Sequence, residues 1–173
     1  MTGTDKNTLP FLMASLKEVQ DTVRAYDTKA QIVGVGYIFA IGIIINLGAR
    51  IANVAEMDAV TITFAWLVFI FPIVLFGAVL YPSRKLAPSL GGQGSHAHRT
   101  FYVDPEHIHD VDAYLAAVDA CDPKKEIAYE IVKTAGLREI KRRRFLRALW
   151  AAAMSFVVMF LGQMLRAEGL LPI

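Results

Sequence analysis

Three long apolar runs alternate with polar segments along the chain. The runs cover residues 30–49, 59–80 and 146–165. Each has about 20 residues, the length that an α-helix needs to cross a hydrocarbon core of about 30 Å. A cleaved signal peptide is not expected, because the residues before the first run are mostly polar and that run is too long. The pattern therefore predicts three transmembrane helices.

The segment before the first run has the spacing of one helical face. Its apolar side chains recur every three or four positions, and charged side chains occupy the rest of the surface. The apolar positions are Leu12, Leu16, Val19, Val23 and Tyr26. Pro10 is suited to the first turn of a helix. Since neither Gly nor Pro separates this segment from the first run, we expect one continuous helix.

The long segment between the second and third runs combines a linker with helices. Gly, Ser and Pro are frequent up to residue 98, which predicts a loop. Residues 100–103 form a short β-prone piece. Asp104-Pro105-Glu106 predicts the start of a helix, and Asp122-Pro123 predicts its end and the start of another. We expect the last helix to continue through Gly136 into the third span.

The densest positive charge lies directly before Ala148, at the start of the third run. Residues 137–147, which we call the basic segment, contain six basic side chains and one acid. Lys and Arg also precede the first run, whereas the connection after it and the tail after the third run have one Arg each. Because Lys and Arg favour the cytoplasmic side of a membrane, this asymmetry predicts the orientation of a multi-pass membrane protein. Its N-terminus is then cytoplasmic and its C-terminus external.

These patterns predict an all-α membrane protein, with a small cytoplasmic helical bundle that is continuous with the first and third spans. The expected parts are a cytoplasmic helix, a transmembrane hairpin, a cytoplasmic linker with helices, a third span and an external tail. They cover residues 1–29, 30–81, 82–145, 146–165 and 166–173. Small residues in the first span, such as Ala30 and Gly34, suit close helix packing within the chain or self-association.

Composition and the absence of catalytic motifs exclude several functions. Hydrophobic residues make up 55% of the 173, and the formal net charge is +2. The span interiors lack Asp, Glu, Lys, Arg and His, which pumps and coupled transporters use at depth. Neither a catalytic-triad order, a phosphate-binding loop nor a zinc-protease helix is present. We expect no enzyme, no cofactor and no pump, with Cys121 an inert thiol.

The four histidines lie close together in the sequence, at His96, His98, His107 and His109. A His-x-His pair in a loop can bind a metal ion. On a helix, however, side chains two positions apart point in different directions. The cluster has no tetrahedral ligand spacing. We therefore favour solvated polar side chains and predict no metal site, although the spacing leaves metal binding open.

The two junctions between polar helix and apolar span provide the candidate site. Asp27 and Lys29 lie where the first helix reaches the membrane. Lys29 could anchor the helix at the headgroups, or Asp27 could pair with arginines of the basic segment and couple the junctions. Within that segment, Lys141, Arg142 and Arg144 are candidate contacts for a phosphate group. The alternative is that the segment only fixes orientation and attracts anionic lipids.

Three short motifs are spread along the chain. They are Asp-Thr-Lys-Ala at residues 27–30, Phe101 followed by a helix with Tyr114, and a basic stretch that ends in Leu-Arg-Ala at residues 142–148. Together they resemble the transmembrane effectors of Pycsar anti-phage systems, and the resemblance covers residues 11–165.

This resemblance implies a function in defence. A partner pyrimidine nucleotide cyclase would make cyclic CMP or cyclic UMP on infection, and the effector would respond by impairing the inner membrane, which is abortive infection. We expect a homo-oligomer in contact with membrane lipids, with cyclic CMP or cyclic UMP as its candidate ligand and no nucleic acid polymer as a partner. The alternative function is a non-enzymatic structural or scaffolding membrane protein that presents its helical bundle to a cytoplasmic partner.

Overall fold

Four α-helices form the part of the chain that the structure, a computed structural model, describes: residues 8–51, 59–81 and 110–167. They are α1 (Thr8–Ile51), α2 (Ala59–Leu80), α3 (Val111–Ala120) and α4 (Pro123–Ala167). These residues contain no strand. Helices α1, α2 and α4 are each long and apolar enough to cross a membrane. The predicted all-α membrane fold with three spans is confirmed.

Helices α1 and α4 are much longer than one membrane crossing. They contain 44 and 45 residues, which is about 66 Å at 1.5 Å per residue. Pro10 lies in the first turn of α1, where its missing N–H removes no helical hydrogen bond. Helix α4 passes through Gly136 without a break. The predicted continuity of polar helix and apolar span is therefore confirmed at both junctions.

The described residues divide into two compact units. The first contains residues 8–25 and 110–140, and the second contains residues 26–51, 59–81 and 141–167. Because the division falls inside α1 and α4, each of these helices contributes residues to both units.

In the first unit, α3 begins at Val111 and does not continue back through Asp110, whereas the predicted start at Asp104-Pro105-Glu106 lies outside the described residues. Asp110 has an extended backbone (φ −136°, ψ 101°), and its carboxylate accepts a hydrogen bond from the Ala113 amide at 3.0 Å. Asp110 is therefore the capping residue of α3. The predicted β-prone piece and the four histidines lie outside the described residues.

The predicted start of α4 is confirmed by its own cap. The Asp122 carboxylate accepts a hydrogen bond from the Lys124 amide at 3.0 Å, directly before Pro123 at the first helical position. A capping acid followed by Pro satisfies or removes the first unpaired N–H groups of a helix.

Apolar and acidic side chains share the interior of the first unit. Leu16 and Ile127 are buried there, and so are Glu126 and Glu130. The Nζ atom of Lys133 lies 3.8 Å from Oε1 of Glu130. Since a buried carboxylate needs partners, the inner face of α4 in this unit depends on polar contacts as well as on apolar packing.

The second unit packs α1, α2 and α4 through small side chains. Ala30 and Ala148 are buried almost completely, with 1% and 0% of their surface exposed. A Cβ atom on Gly34 would lie 3.4 Å from Cβ of Phe76, whereas nothing in the described chain lies within 4 Å of the Cβ position of Gly36. Small residues let helices approach closely in lipid. Ala30 and Gly34 therefore serve packing within the chain.

Candidate functional site at the helix junction

The second unit contains an ion pair between the two predicted junctions. Nζ of Lys141 on α4 donates hydrogen bonds to both carboxylate oxygens of Asp27 on α1, at 2.5 and 2.6 Å. The Lys141 side chain is only 7% exposed, and that of Asp27 is 34% exposed. Because an ammonium group withdrawn from water needs a charged partner, Asp27 makes the inward orientation of Lys141 possible. The sequence predicted an arginine as this partner, and the structure has a lysine.

Arg144 contacts the third helix of the unit. It lies one turn after Lys141 on α4, is half-buried, and its Nη1 donates to the carbonyl oxygen of Ala78 at 3.0 Å. Helix α2 ends at Leu80, so Ala78 lies in its last turn. The carbonyls there have no partner within the helix and carry partial negative charge. Arg144 therefore caps α2 with a cation.

Three aromatic rings connect the same three helices. The ring centroids of Tyr26 and Phe145 are 6.1 Å apart, and those of Phe145 and Phe76 are 6.4 Å apart. Both separations fall in the range of favourable tilted pairs. Lys29 is exposed, and its Nζ lies 5.7 Å from the Tyr26 ring centroid, a cation–π distance. The junction thus combines an ion pair, a capped helix end and a chain of rings.

The three predicted phosphate contacts do not share one surface. Lys141 and Arg144 point into the unit and bind Asp27 and the end of α2, whereas Arg142 is exposed. Consecutive residues on a helix are about 100° apart, so adjacent basic residues necessarily face different directions. A phosphate contact at these residues stays a prediction, and Arg142 is the member that solvent reaches.

A polar contact inside the spans was missed by the sequence reasoning. The hydroxyl of Tyr37 on α1 lies 2.7 Å from Oγ of Ser155 on α4 and donates to the carbonyl oxygen of Phe69 on α2, at 3.5 Å. The Tyr37 ring also meets Phe156 edge-on, with centroids 5.3 Å apart. The sequence feature that could have predicted this contact is the position of Tyr37, seven residues after Ala30 on the small-residue face. Its hydroxyl therefore joins all three spanning helices at one point.

Fold and junction together define a multi-pass helical membrane protein whose spans are joined by polar and aromatic contacts at one end. The chain belongs to the Pycsar effector family. The family model PycTM, the Pycsar effector protein domain, matches residues 11–166. That range contains every candidate site residue, and it confirms the resemblance found in the sequence. No curated protein and no solved structure matches the chain.

Proposed function

We propose that this chain is a non-enzymatic effector of the bacterial inner membrane, which impairs membrane integrity when a Pycsar system responds to phage. The observation that carries this proposal is the family match over residues 11–166, on a chain with three helices able to cross a membrane. Family membership supports a role in Pycsar anti-phage defence. Membrane damage and abortive infection are the finer part of the proposal, with a cytoplasmic N-terminus and an external C-terminus.

Assembly of several copies would let such spans breach a membrane. The span interiors carry no ionisable side chain that could guide ions through a single chain. Large apolar side chains of α2, such as Phe64 and Phe71, are 60% exposed on the isolated chain. In the membrane, lipids or further copies would cover them. A homo-oligomer is therefore part of the proposal.

The direct ligand in this proposal is cyclic CMP or cyclic UMP, made by a partner pyrimidine nucleotide cyclase. Arg142 is the exposed candidate for a phosphate contact. Lys141 and Arg144 could join it only by leaving Asp27 and the Ala78 carbonyl. Ligand binding at the basic segment would then loosen the junction. The ligand would thus compete with Asp27 and the Ala78 carbonyl for the two basic side chains. We propose that, through this competition, the junction containing Asp27 and Lys29 transmits the signal to the first span.

The function is tested by following membrane potential during infection. Cells that carry the chain with its cognate cyclase should lose the potential, reported by a voltage-sensitive dye, soon after phage addition. Cells with the chain and a catalytically inactive cyclase should keep it. A potential that stays intact in infected cells with both active partners would contradict the effector function and favour the scaffolding alternative.

Direct nucleotide sensing is tested by titrating the purified full chain with cyclic CMP and cyclic UMP. We expect saturable binding to one of them, weakened about 10- to 100-fold by Arg142→Gln, because a hydrogen bond to a charged group is worth about 1.5–3 kcal/mol. Lys125→Gln removes one exposed charge near the start of α4 and is the matched control. If neither nucleotide binds saturably, the direct-sensor part is wrong, while the depolarisation result stands by itself.

A further inference from the structure

Helix α4 carries a second group of basic residues that faces away from the junction. Arg143, Arg147 and Trp150 are exposed, and 69% of the Trp150 surface is accessible. They are spaced four and three residues apart, so they lie on one face of the helix. The inward face of the same stretch is a different set: Lys141, Arg144, Ala148, Ala152 and Ser155. The basic segment is therefore divided between two faces with different contacts.

The outward face changes from charged to aromatic to apolar along the helix. Arg143 and Trp150 are separated by about 10 Å along the axis at 1.5 Å per residue. The next residue on this face, Met154, is 54% exposed and lies within the apolar span. Guanidinium groups at headgroup depth, an indole ring at the boundary and apolar side chains below it follow the order of layers in a bilayer.

The charge on this face is positive where it meets the membrane. The one acid of the basic segment, Glu139, lies one helical turn before Arg143 and offsets part of this charge, but α4 has no acidic residue within one turn of Arg147, so the face keeps a positive balance. A phosphodiester is the complementary group, because planar guanidiniums bind its oxygens in a bidentate way. The membrane itself supplies such groups at this depth.

We propose that Arg143, Arg147 and Trp150 form a binding face for the headgroups of anionic phospholipids. The two guanidinium groups bind the lipid phosphate, and the indole ring packs against the glycerol and upper acyl region. The proposal depends on α4 lying in a membrane and not on the proposed effector activity. It assigns these residues to a different ligand from the nucleotide contact proposed at Arg142.

Tryptophan fluorescence can test this directly, because the chain has only two tryptophans. In the Trp66→Phe variant, Trp150 is the remaining fluorophore. The full chain is reconstituted in phosphatidylcholine vesicles that contain equal fractions of either brominated phosphatidylglycerol or brominated phosphatidylcholine. Bromine quenches a nearby indole, so we expect stronger quenching by the anionic lipid. Equal quenching by both lipids would overturn the proposal, and this comparison changes neither arginine.

The arginines are then tested in the same background. Arg143→Gln combined with Arg147→Gln should reduce the preference for the anionic lipid by up to about 30-fold, since each basic residue near the surface contributes about fivefold. Lys17→Gln combined with Lys125→Gln removes the same charge from exposed positions in the first unit and should leave the preference unchanged. An equal loss in both double variants would show an effect of net charge alone and contradict a site.

A soluble competitor separates lipid phosphate from free phosphate. Sodium chloride screens exposed charges, so it sets the baseline at each ionic strength. Beyond that baseline, neither inorganic phosphate nor cyclic CMP should restore the Trp150 fluorescence that brominated phosphatidylglycerol quenches. Restoration by either phosphate at an ionic strength where chloride has no effect would assign the face to a soluble ligand and overturn the lipid proposal.

Discussion

Replacing Asp27 with alanine is expected to destabilise the second unit by about 3 kcal/mol, because breaking a buried ion pair leaves an uncompensated charge behind. The Lys141 side chain, only 7% exposed, would have to keep its ammonium group there or leave the packed interface. This value is the lower end of the range of destabilisation for broken buried ion pairs. The Asp27 side chain is 34% exposed, so water can replace part of the contact that Lys141 loses.

Thermal unfolding of the full chain in detergent micelles, followed by circular dichroism, measures this effect. A loss of about 3 kcal/mol corresponds to a fall of about 6–12 °C in Tm for a chain of this size. Asp21→Ala is the matched control on the same helix. Asp21 and Arg24 are 3.9 Å apart with side chains 53% and 79% exposed, and such surface pairs contribute at most about 1 kcal/mol.

A double variant distinguishes the loss of the pair from damage to packing. Asp27→Leu combined with Lys141→Met removes both charges and keeps apolar volume at both positions. Exchanging a buried ion pair for well-packed apolar residues is often neutral or stabilising. We therefore expect the double variant to recover most of the stability that Asp27→Ala loses. A Tm as low as that of Asp27→Ala, or an equal fall for Asp21→Ala, would show that the ion pair is not the cause.

The long helices could be predicted because their physical causes are local. An uninterrupted run of helix-compatible residues, capping aspartates and apolar stretches of about 20 residues all act within a few turns of the chain. The caps also mark the limit of this reasoning. Asp110 caps α3 although no proline follows it, and the sequence alone does not show that its backbone is extended.

The direction in which each basic residue faces could not be read from the basic segment itself, because charge there surrounds the helix. The signal lay outside it. Counting back four and seven residues from the buried Ala148 gives Arg144 and Lys141, and counting back three from the buried Ala30 gives Asp27. Extending each small-residue stripe beyond its span thus predicts the three inward residues. The choice of Lys141 over Arg144 as the partner of Asp27 depends on tertiary placement.

Replacing Phe76 with alanine is expected to destabilise the second unit by about 3 kcal/mol, the lower end of the range for a buried phenylalanine. Phe76 is 3% exposed, and its ring packs on Gly34 of α1 and lies 6.4 Å from the Phe145 ring of α4. Moving the Phe76 side chain from the protein interior into lipid changes the free energy little, because lipid chains are as apolar as the side chain. The loss is therefore mainly one of dispersion contacts around the cavity.

Two further variants of α2 show whether packing at Phe76 joins the three helices. Phe71→Ala removes the same ring from a position that is 60% exposed, so it should change stability by no more than about 0.5 kcal/mol. Phe76→Leu conserves most of the volume and should lose less than about 1.5 kcal/mol. Thermal unfolding of the full chain ranks the three variants, with Phe76→Ala the least stable. If Phe71→Ala lowers Tm as much as Phe76→Ala, general apolarity of α2 and not the contact with Gly34 and Phe145 stabilises the unit.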